Sequence, residues 1–254
     1  MTEHVLTAVE NRVMTISMNR PEKKNALTGA MYDAMGSAIR QAENDVSVRA
    51  ILLRGTADCF TAGNDLVDFA NAKPGEPSKA IEFLKTLSAA RKPLVAAVAG
   101  VAVGIGTTML LHCDIVYAAP SARFQMPFVN LGLCPEAGSS LILPMLVGHH
   151  RAAELLMFGE PFDASAAREY GIVNQIFADG ELLSAAGARA QQLAEKPPGS
   201  LCATKHLLKS GASAAIGEAM MRETKEFAAR LQGPEAKEAM AAFIERRKPD
   251  FSRF

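Results

Sequence analysis

Only four cysteines occur in 254 residues, Cys59, Cys113, Cys134 and Cys202, and no two stand at C-x-x-C or another metal-ligand spacing. That speaks against a metal site held by thiolates. It leaves four reduced core residues of an intracellular, cytoplasmic protein as the expectation. Net charge is also missing, since Lys+Arg and Asp+Glu each number 27. A nucleic-acid surface is therefore not expected, and a phosphate-bearing ligand has to meet local basic residues rather than a global field. The opening MTEHVLTAVENRV carries no signal-peptide pattern, and the chain has no repeat or low-complexity tract. With 49% hydrophobic and 21% charged residues, the composition is that of a soluble globular protein. Its length allows one large domain, or a domain with an appendage, around a sizeable core.

Charge is absent over one long stretch, Leu94 to Leu111. This is the lower edge of a membrane-spanning length, but three glycines and several alanines make it weakly hydrophobic for that role, and no span is expected. A dinucleotide fingerprint is excluded because Met109 stands where a third glycine is needed, and no Gly-Lys-Ser/Thr follows for a phosphate loop. What is present reads as buried strand (Pro93 to Val98), glycine turn (Gly104-Ile105-Gly106), short buried helix (Thr107 to Cys113) and second strand (Ile115 to Ala118). A strand that turns through glycines into a helix aims backbone N–H groups outward, where they can hold an oxyanion. The plainer reading is that the glycines permit close helix–strand packing.

Elsewhere, residues 4–19 read as a hairpin around Glu10-Asn11-Arg12, with Lys23 and Lys24 in the loop that follows. Thr28 is placed to cap a helix through about Glu43 with an apolar stripe of Met31, Met35, Ala38, Ile39 and Ala42. Arg49 to Arg54 reads as a strand. Cys59 to Leu66 (CFTAGNDL) reads as a second turn with exposed amides, 67–77 as a mobile segment, and Ser78 as the cap of a helix ending near Arg91. Arg123 to Met126 and Ile172 to Phe177 read as strands, and Asp163 as the cap of a helix over 164–170. From Gly180 the chain is helical to about Arg247, interrupted at Lys196 to Gly199. The pattern is thus an α/β core with a helical extension. His112 reads as a core histidine, and His149 and His150 lack ligand partners at metal spacing. Glu136 is the one carboxylate in an apolar neighbourhood. Two roles are open to it: favouring the positive N-terminal end of a helix starting near Gly138, or acting as a buried carboxylate with a raised pKa that moves a proton.

Taken together, NRPEKKNALT, CFTAGNDL, AGVAVGIGTTMLLHCDIVYA, ARFQMPFVNLGLCPEAGSS, ELLMFGEPFDASAAREYGIVNQIF and AAFIERRKPDF resemble, nearly end to end, the crotonase (enoyl-CoA hydratase/isomerase) superfamily. The resemblance implies a spiral of ββα units over 1–198 and a helical trimerisation region over 199–254, in a homotrimer or a hexamer of two trimers. It implies an acyl-CoA thioester substrate held between the amides of Asn64 and Ile105, with no separate cofactor and no metal. It places Lys23, Lys24, Ala62, Phe227, Phe243 and Arg246 near coenzyme A, the C-terminal ones often in a neighbouring subunit. The two glutamates with which hydratases of the family handle water fall here on Thr108 and Phe128, neither of which titrates usefully. Glu136 matches the single carboxylate of the Δ3,Δ2-enoyl-CoA isomerases, the branch that the chain resembles most. Leu66, Thr108, Phe128, Leu133 and Leu141 are then expected to line the acyl pocket. The rival readings are a dienoyl-CoA isomerase, with Asp65 or Asp68 as its second carboxylate, a ring-oxepin CoA isomerase, a hydratase, and a non-catalytic acyl-CoA-binding protein.

Overall fold

The computed structural model describes residues 3–65, 67–68 and 78–254. Leu66 and nearly all of the segment expected to be mobile lie outside that range. Strands β1 (Val5–Glu10) and β2 (Val13–Met18) form the expected hairpin. Its corner is Asn11-Arg12, both at positive φ, as a two-residue turn matching the strands' twist requires. From β2 the sheet grows by parallel pairing through β3 (Ala50–Arg54), β4 (Leu94–Val98), β6 (Ile115–Ala118) and β9 (Gln175–Ile176). Parallel neighbours need crossovers. Helix α1 (Gly29–Asn44) supplies the first and α2 (Lys79–Ser88) lies within the second. Thr28, Ser78 and Asp163 each accept the backbone N–H three residues on, as helix caps do.

The apolar runs of β3 and β4 are explained by burial on both faces of the sheet. Ile51, Leu53, Leu94, Ala96 and Val98 face a large core completed by Met31, Met35 and Ile39 of α1. Ala50, Leu52, Val95 and Ala97 face a smaller one. Helix α7 (Leu182–Ala194) covers the smaller core with Leu182, Ala186, Ala190 and Ala194, one side chain per turn and mostly small, which lets the helix lie close on the sheet.

A second, three-stranded sheet carries the feature that the sequence reading lacks. Its strand β5 (Val101–Val103) pairs with β7 (Arg123–Gln125), and β7 pairs with β8 (Phe162–Asp163). A three-residue strand between glycines is too short to show a period. The expected helix over Thr107 to Cys113 is instead α3 (Ile105–Thr108), a single turn that tightens into 3-10 geometry over Met109–His112. The strand expected over 172–177 shrinks to Gln175–Ile176, because the N–H groups of Ile172 and Val173 go back to Ala167. Between them lie α4 (Ser139–Val147), α5 (His149–Phe158) and α6 (Ala164–Glu169).

The C-terminal helix is broken once more than expected, into α8 (Pro198–Leu231) and α9 (Pro234–Ile244). Pro234 has no N–H to continue α8, while Pro198 sits in a first turn that needs none. Lys205 of α8 is buried and bonds Asp114 Oδ2 and the Lys92 carbonyl, each at 2.7 Å, so α8 is pinned beneath β4 and β6. The uncharged stretch 94–111 is divided between two strands and helical turns. Among the described residues no helix is long and apolar enough to cross a membrane.

Candidate active site

The site is built from two turns stitched to each other. In the first, Thr61 docks on β5: its N–H donates to the Val101 carbonyl (2.9 Å) and its carbonyl accepts from Val103 (3.1 Å). Gly63 follows at φ +89°, so close to β5 that a Cβ there would stand 2.6 Å from the Val103 carbonyl oxygen. Leu27 then bridges across Asn64, donating to the Gly63 carbonyl (2.8 Å) and accepting from Asp65 (2.9 Å). Parallel pairing of this kind uses the groups on either side of Asn64 and turns the Asn64 N–H away from Leu27. Beneath the turn, Asn25 is fully buried. Its Nδ2 donates to the carbonyls of Cys59 (2.9 Å) and Phe60 (3.1 Å), and its own carbonyl takes the Thr61 hydroxyl (2.6 Å).

The second turn leaves β5 through Gly104, at φ +56°. The Gly104 N–H donates to the Gln125 carbonyl, and its own carbonyl accepts from Thr107 and Thr108. Ile105 opens α3, so its N–H has no acceptor within the helix, and Gly104 at the cap position has no side chain to cap it. Gly106 lies against the first turn, where a Cβ would be 2.7 Å from Thr61 Cγ2. The amides of Asn64 and Ile105 therefore belong to one packed unit.

Thr108, one turn of chain after Ile105, donates its hydroxyl to Glu136 Oε1. Burial pushes the Glu136 carboxyl up to about 7; the Thr108 hydrogen bond opposes this, and the charge of Glu223 adds to it. Tyr32 of α1 is buried and donates its hydroxyl to Asn64 Oδ1 at 2.6 Å. Burial, then the charges of Glu136 and Asp68, hold its pKa well above the usual phenol value, so it is a neutral donor facing the same carboxylate. Phe128 is buried with its ring edge near Gly104, and Leu133 is buried two strides on, its N–H on the Phe128 carbonyl (2.9 Å). Such an arrangement offers a negative oxygen two amides that no acceptor takes among the described residues, with one carboxylate poised near neutrality and an apolar wall.

Of the residues expected at the site, Asn64, Ile105, Thr108, Phe128, Leu133 and Glu136 come together. Leu141 is half-buried in the first turn of α4, and Leu66 lies outside the described residues. Ala62 donates its N–H to the Lys24 carbonyl (2.9 Å), which puts exposed Lys23 and Lys24 at the rim of the first turn. Phe227 packs half-buried against the large core. Phe243 and Arg246 are exposed near the end of α9, and among the described residues no contact joins them to the cluster. Asp65 is committed to Arg20 (2.7 Å) and to the N–H groups of Val67 and Asp68, while Asp68 accepts from the Gly29 N–H. Neither is the free second carboxylate that a dienoyl-CoA isomerase would want. His112 is the buried core histidine expected: burial drops its pKa to about 4, and its neutral ring bonds the Ala137 carbonyl at 2.7 Å.

Three residues that bond the candidate site from behind escape the sequence reading: Tyr32, Asn25 and Glu223. A tyrosine beside the Met31 stripe and a glutamate on the same face as Ile216, Met220 and Phe227 are the available signals, since a buried hydroxyl or carboxylate needs a partner. Tyr32→Phe removes the hydroxyl that fixes Asn64. It is expected to lower kcat about tenfold with little change in KM, the loss of one hydrogen bond, measured by steady-state kinetics.

The family model for enoyl-CoA hydratase/isomerase matches residues 8–253. The chain belongs to this family, the crotonase superfamily of enzymes acting on acyl-CoA thioesters. It is 34% identical to 1,2-epoxyphenylacetyl-CoA isomerase of Escherichia coli, over 99% of each chain. It is also 34% identical to rat enoyl-CoA delta isomerase 2, over 96% of this chain and 64% of that protein. A probable enoyl-CoA hydratase of Bacillus subtilis is 32% identical over 96% of each. The crystal structure of an enoyl-CoA hydratase/isomerase from Pseudoalteromonas atlantica superposes with a TM-score of 0.95 at 41% identity, covering 98% of this chain and all of that one.

Proposed function

We propose that the enzyme is an isomerase that moves the double bond of a 3-enoyl-CoA into conjugation, giving the trans-2-enoyl-CoA, with Glu136 as its single proton carrier. The observation that carries this reading is the pairing of buried Glu136 with the Thr108 hydroxyl: Thr108 and Phe128, the two positions that match the hydratase glutamates, carry no useful titratable group, and the carboxylate beside them is Glu136. The thioester carbonyl lies between the N–H groups of Asn64 and Ile105. Glu136 takes a proton from C2, the electron pair moves into a dienolate whose oxygen the two amides hold, and the protonated Glu136 returns the proton to C4 on the same face. Phe128 and Leu133 keep water from the intermediate. Lys23 and Lys24 meet the phosphates of coenzyme A and the Ala62 carbonyl its adenine. Phe227, Phe243 and Arg246 complete the site in a homotrimer or hexamer, in keeping with the exposure of Phe243 and Ile244 on α9.

A second reading has a specific observation behind it, the 34% identity to the Escherichia coli epoxyphenylacetyl-CoA isomerase: isomerisation of a ring-containing CoA ester by the same amides and carboxylate. Hydratase names among the relatives define the third outcome. Ultraviolet assays separate the three. The isomerase produces the conjugated thioester from a 3-enoyl-CoA and leaves a 2-enoyl-CoA unchanged. Fast loss of the 2-enoyl-CoA signal means hydration and overturns the reading. Turnover of a ring epoxide CoA ester alone favours the second.

Thr108→Val tests the local electrostatics. The hydroxyl lowers the pKa of Glu136. Its loss is expected to move the acid limb of kcat/KM to higher pH by a measurable fraction of a unit or more. The pH–rate profile of the variant reads this directly.

A further inference from the structure

The chain bends sharply just after Glu136. Ala137 and Gly138 both stand in the left-handed region, at φ +62° and +73°, and an alanine there is strained by about 1 kcal/mol or more. Such a turn persists only when its surroundings fix it. Here they do so on three sides. Ser139 gives the Glu136 carbonyl both its N–H (3.1 Å) and its hydroxyl (2.6 Å). His112 holds the Ala137 carbonyl. The third support comes from 85 residues away in sequence: Glu223 of α8 accepts from Gly138 N–H at 2.5 Å through Oε2 and from Ser140 N–H at 2.8 Å through Oε1. Glu223 is 7% exposed on a helix most of whose residues face solvent. Ile216 and Met220, on the same face of α8, close over Gly138. No side chain of α4's own segment caps that helix, so Glu223 caps it from outside.

We infer that Glu223 is a positioning residue for Glu136, a bidentate clamp from the C-terminal helix that holds the left-handed turn and so aims the proton-carrying carboxylate at the two amides. The inference rests on the reading of Glu136 as the base. The Glu223 charge also opposes ionisation of Glu136. The other polar groups around the pair leave that role to it. Thr108 and neutral His112 come from the helical turn, and Tyr32 from α1. Cys134 lies in the same loop as Glu136, its thiol pushed up to about 11, chiefly by burial. Glu226 and Arg230 of α8 pair with each other at 2.9 Å.

The test is steady-state kinetics of full-length Glu223→Gln, Glu223→Asp and Glu136→Gln across pH 5 to 9, on protein whose circular dichroism matches wild type. Glutamine keeps one acceptor but turns an NH2 toward a backbone N–H and removes the charge. The expected result is a kcat about tenfold or more lower with KM nearly unchanged, and an acid limb of kcat/KM displaced to lower pH. Glu223→Asp keeps the charge and is expected to leave the limb in place. A Glu223→Gln enzyme with wild-type kcat, or with an unmoved limb, overturns the inference, even if it melts at a lower temperature. Full activity of Glu136→Gln instead overturns the reading beneath it, so the two failures are distinguishable.

Discussion

Glu136→Gln is expected to retain acyl-CoA binding and to lose roughly 10²–10⁴-fold in turnover, the range that a positioned proton carrier supplies. Glutamine matches the carboxylate in shape and can still accept from the Thr108 hydroxyl, so KM should move little. Steady-state kinetics with a 3-enoyl-CoA, beside equilibrium binding of a saturated acyl-CoA, separate the two effects. The same substitution has a second consequence with a definite sign. Burial raises the Glu136 carboxyl from an ordinary value of 4.5 to about 7. Below 4.5 it is protonated in both folded and unfolded chain and costs nothing. Between 4.5 and 7 the unfolded chain releases the proton and the folded chain does not, so folding stability falls as pH rises, by up to about 3 kcal/mol. Glutamine does not titrate. The melting temperature of the variant relative to wild type is therefore expected to be higher at pH 8 than at pH 5, as differential scanning calorimetry at the two pH values will read.

The second large effect is expected from Gly63→Ala, a change that touches no titratable group. A methyl at Gly63 meets the Val103 carbonyl oxygen at 2.6 Å, and φ of +89° is one that alanine avoids. Its neighbour is backbone, not the end of a flexible side chain, so the turn carrying Asn64 has to move off β5. The unit that holds the Asn64 and Ile105 amides together then opens. Losing one preorganised donor costs about 10²–10³ in rate. The expected outcome is a kcat loss of that size with the pKa of the acid limb unchanged, because Glu136 and Thr108 are not disturbed. A variant that folds and turns over like wild type would remove the Asn64 amide from the chemistry.

Much of this architecture is legible in the sequence because its signals are local. PLVAAV and IVYA read as strands because both faces of the sheet are buried. The caps Thr28, Ser78 and Asp163 lie three residues from the N–H groups that they accept. Glu136 stands out because charge is scarce around it. The rest is carried by long-range partners that no spacing reveals. Tyr32 finds Asn64 across 32 residues, Asn25 finds Cys59 across 34, and Glu223 finds Gly138 across 85. Strand β5 is invisible for a related reason, since its identity as a strand depends on β7 and on Thr61 rather than on its own three residues. The resemblance of the whole chain pointed to the two amides and the carboxylate. The structure supplies what holds them, a buried asparagine beneath one turn, a tyrosine across it, and a carboxylate from the C-terminal helix behind Glu136.

The central claim is that one carboxylate, Glu136, carries the proton from C2 to C4 of a thioester held by two backbone amides, and it is tested most directly by the pH dependence of kcat/KM for a 3-enoyl-CoA. This quantity reports the ionisation of the free enzyme. The account predicts an acid limb centred near 7, with activity falling tenfold per pH unit below it as Glu136 takes up its proton, and turnover all but absent in Glu136→Gln. A wild-type profile flat from pH 5 to 9, or one whose limb persists unchanged in an active Glu136→Gln enzyme, would contradict it.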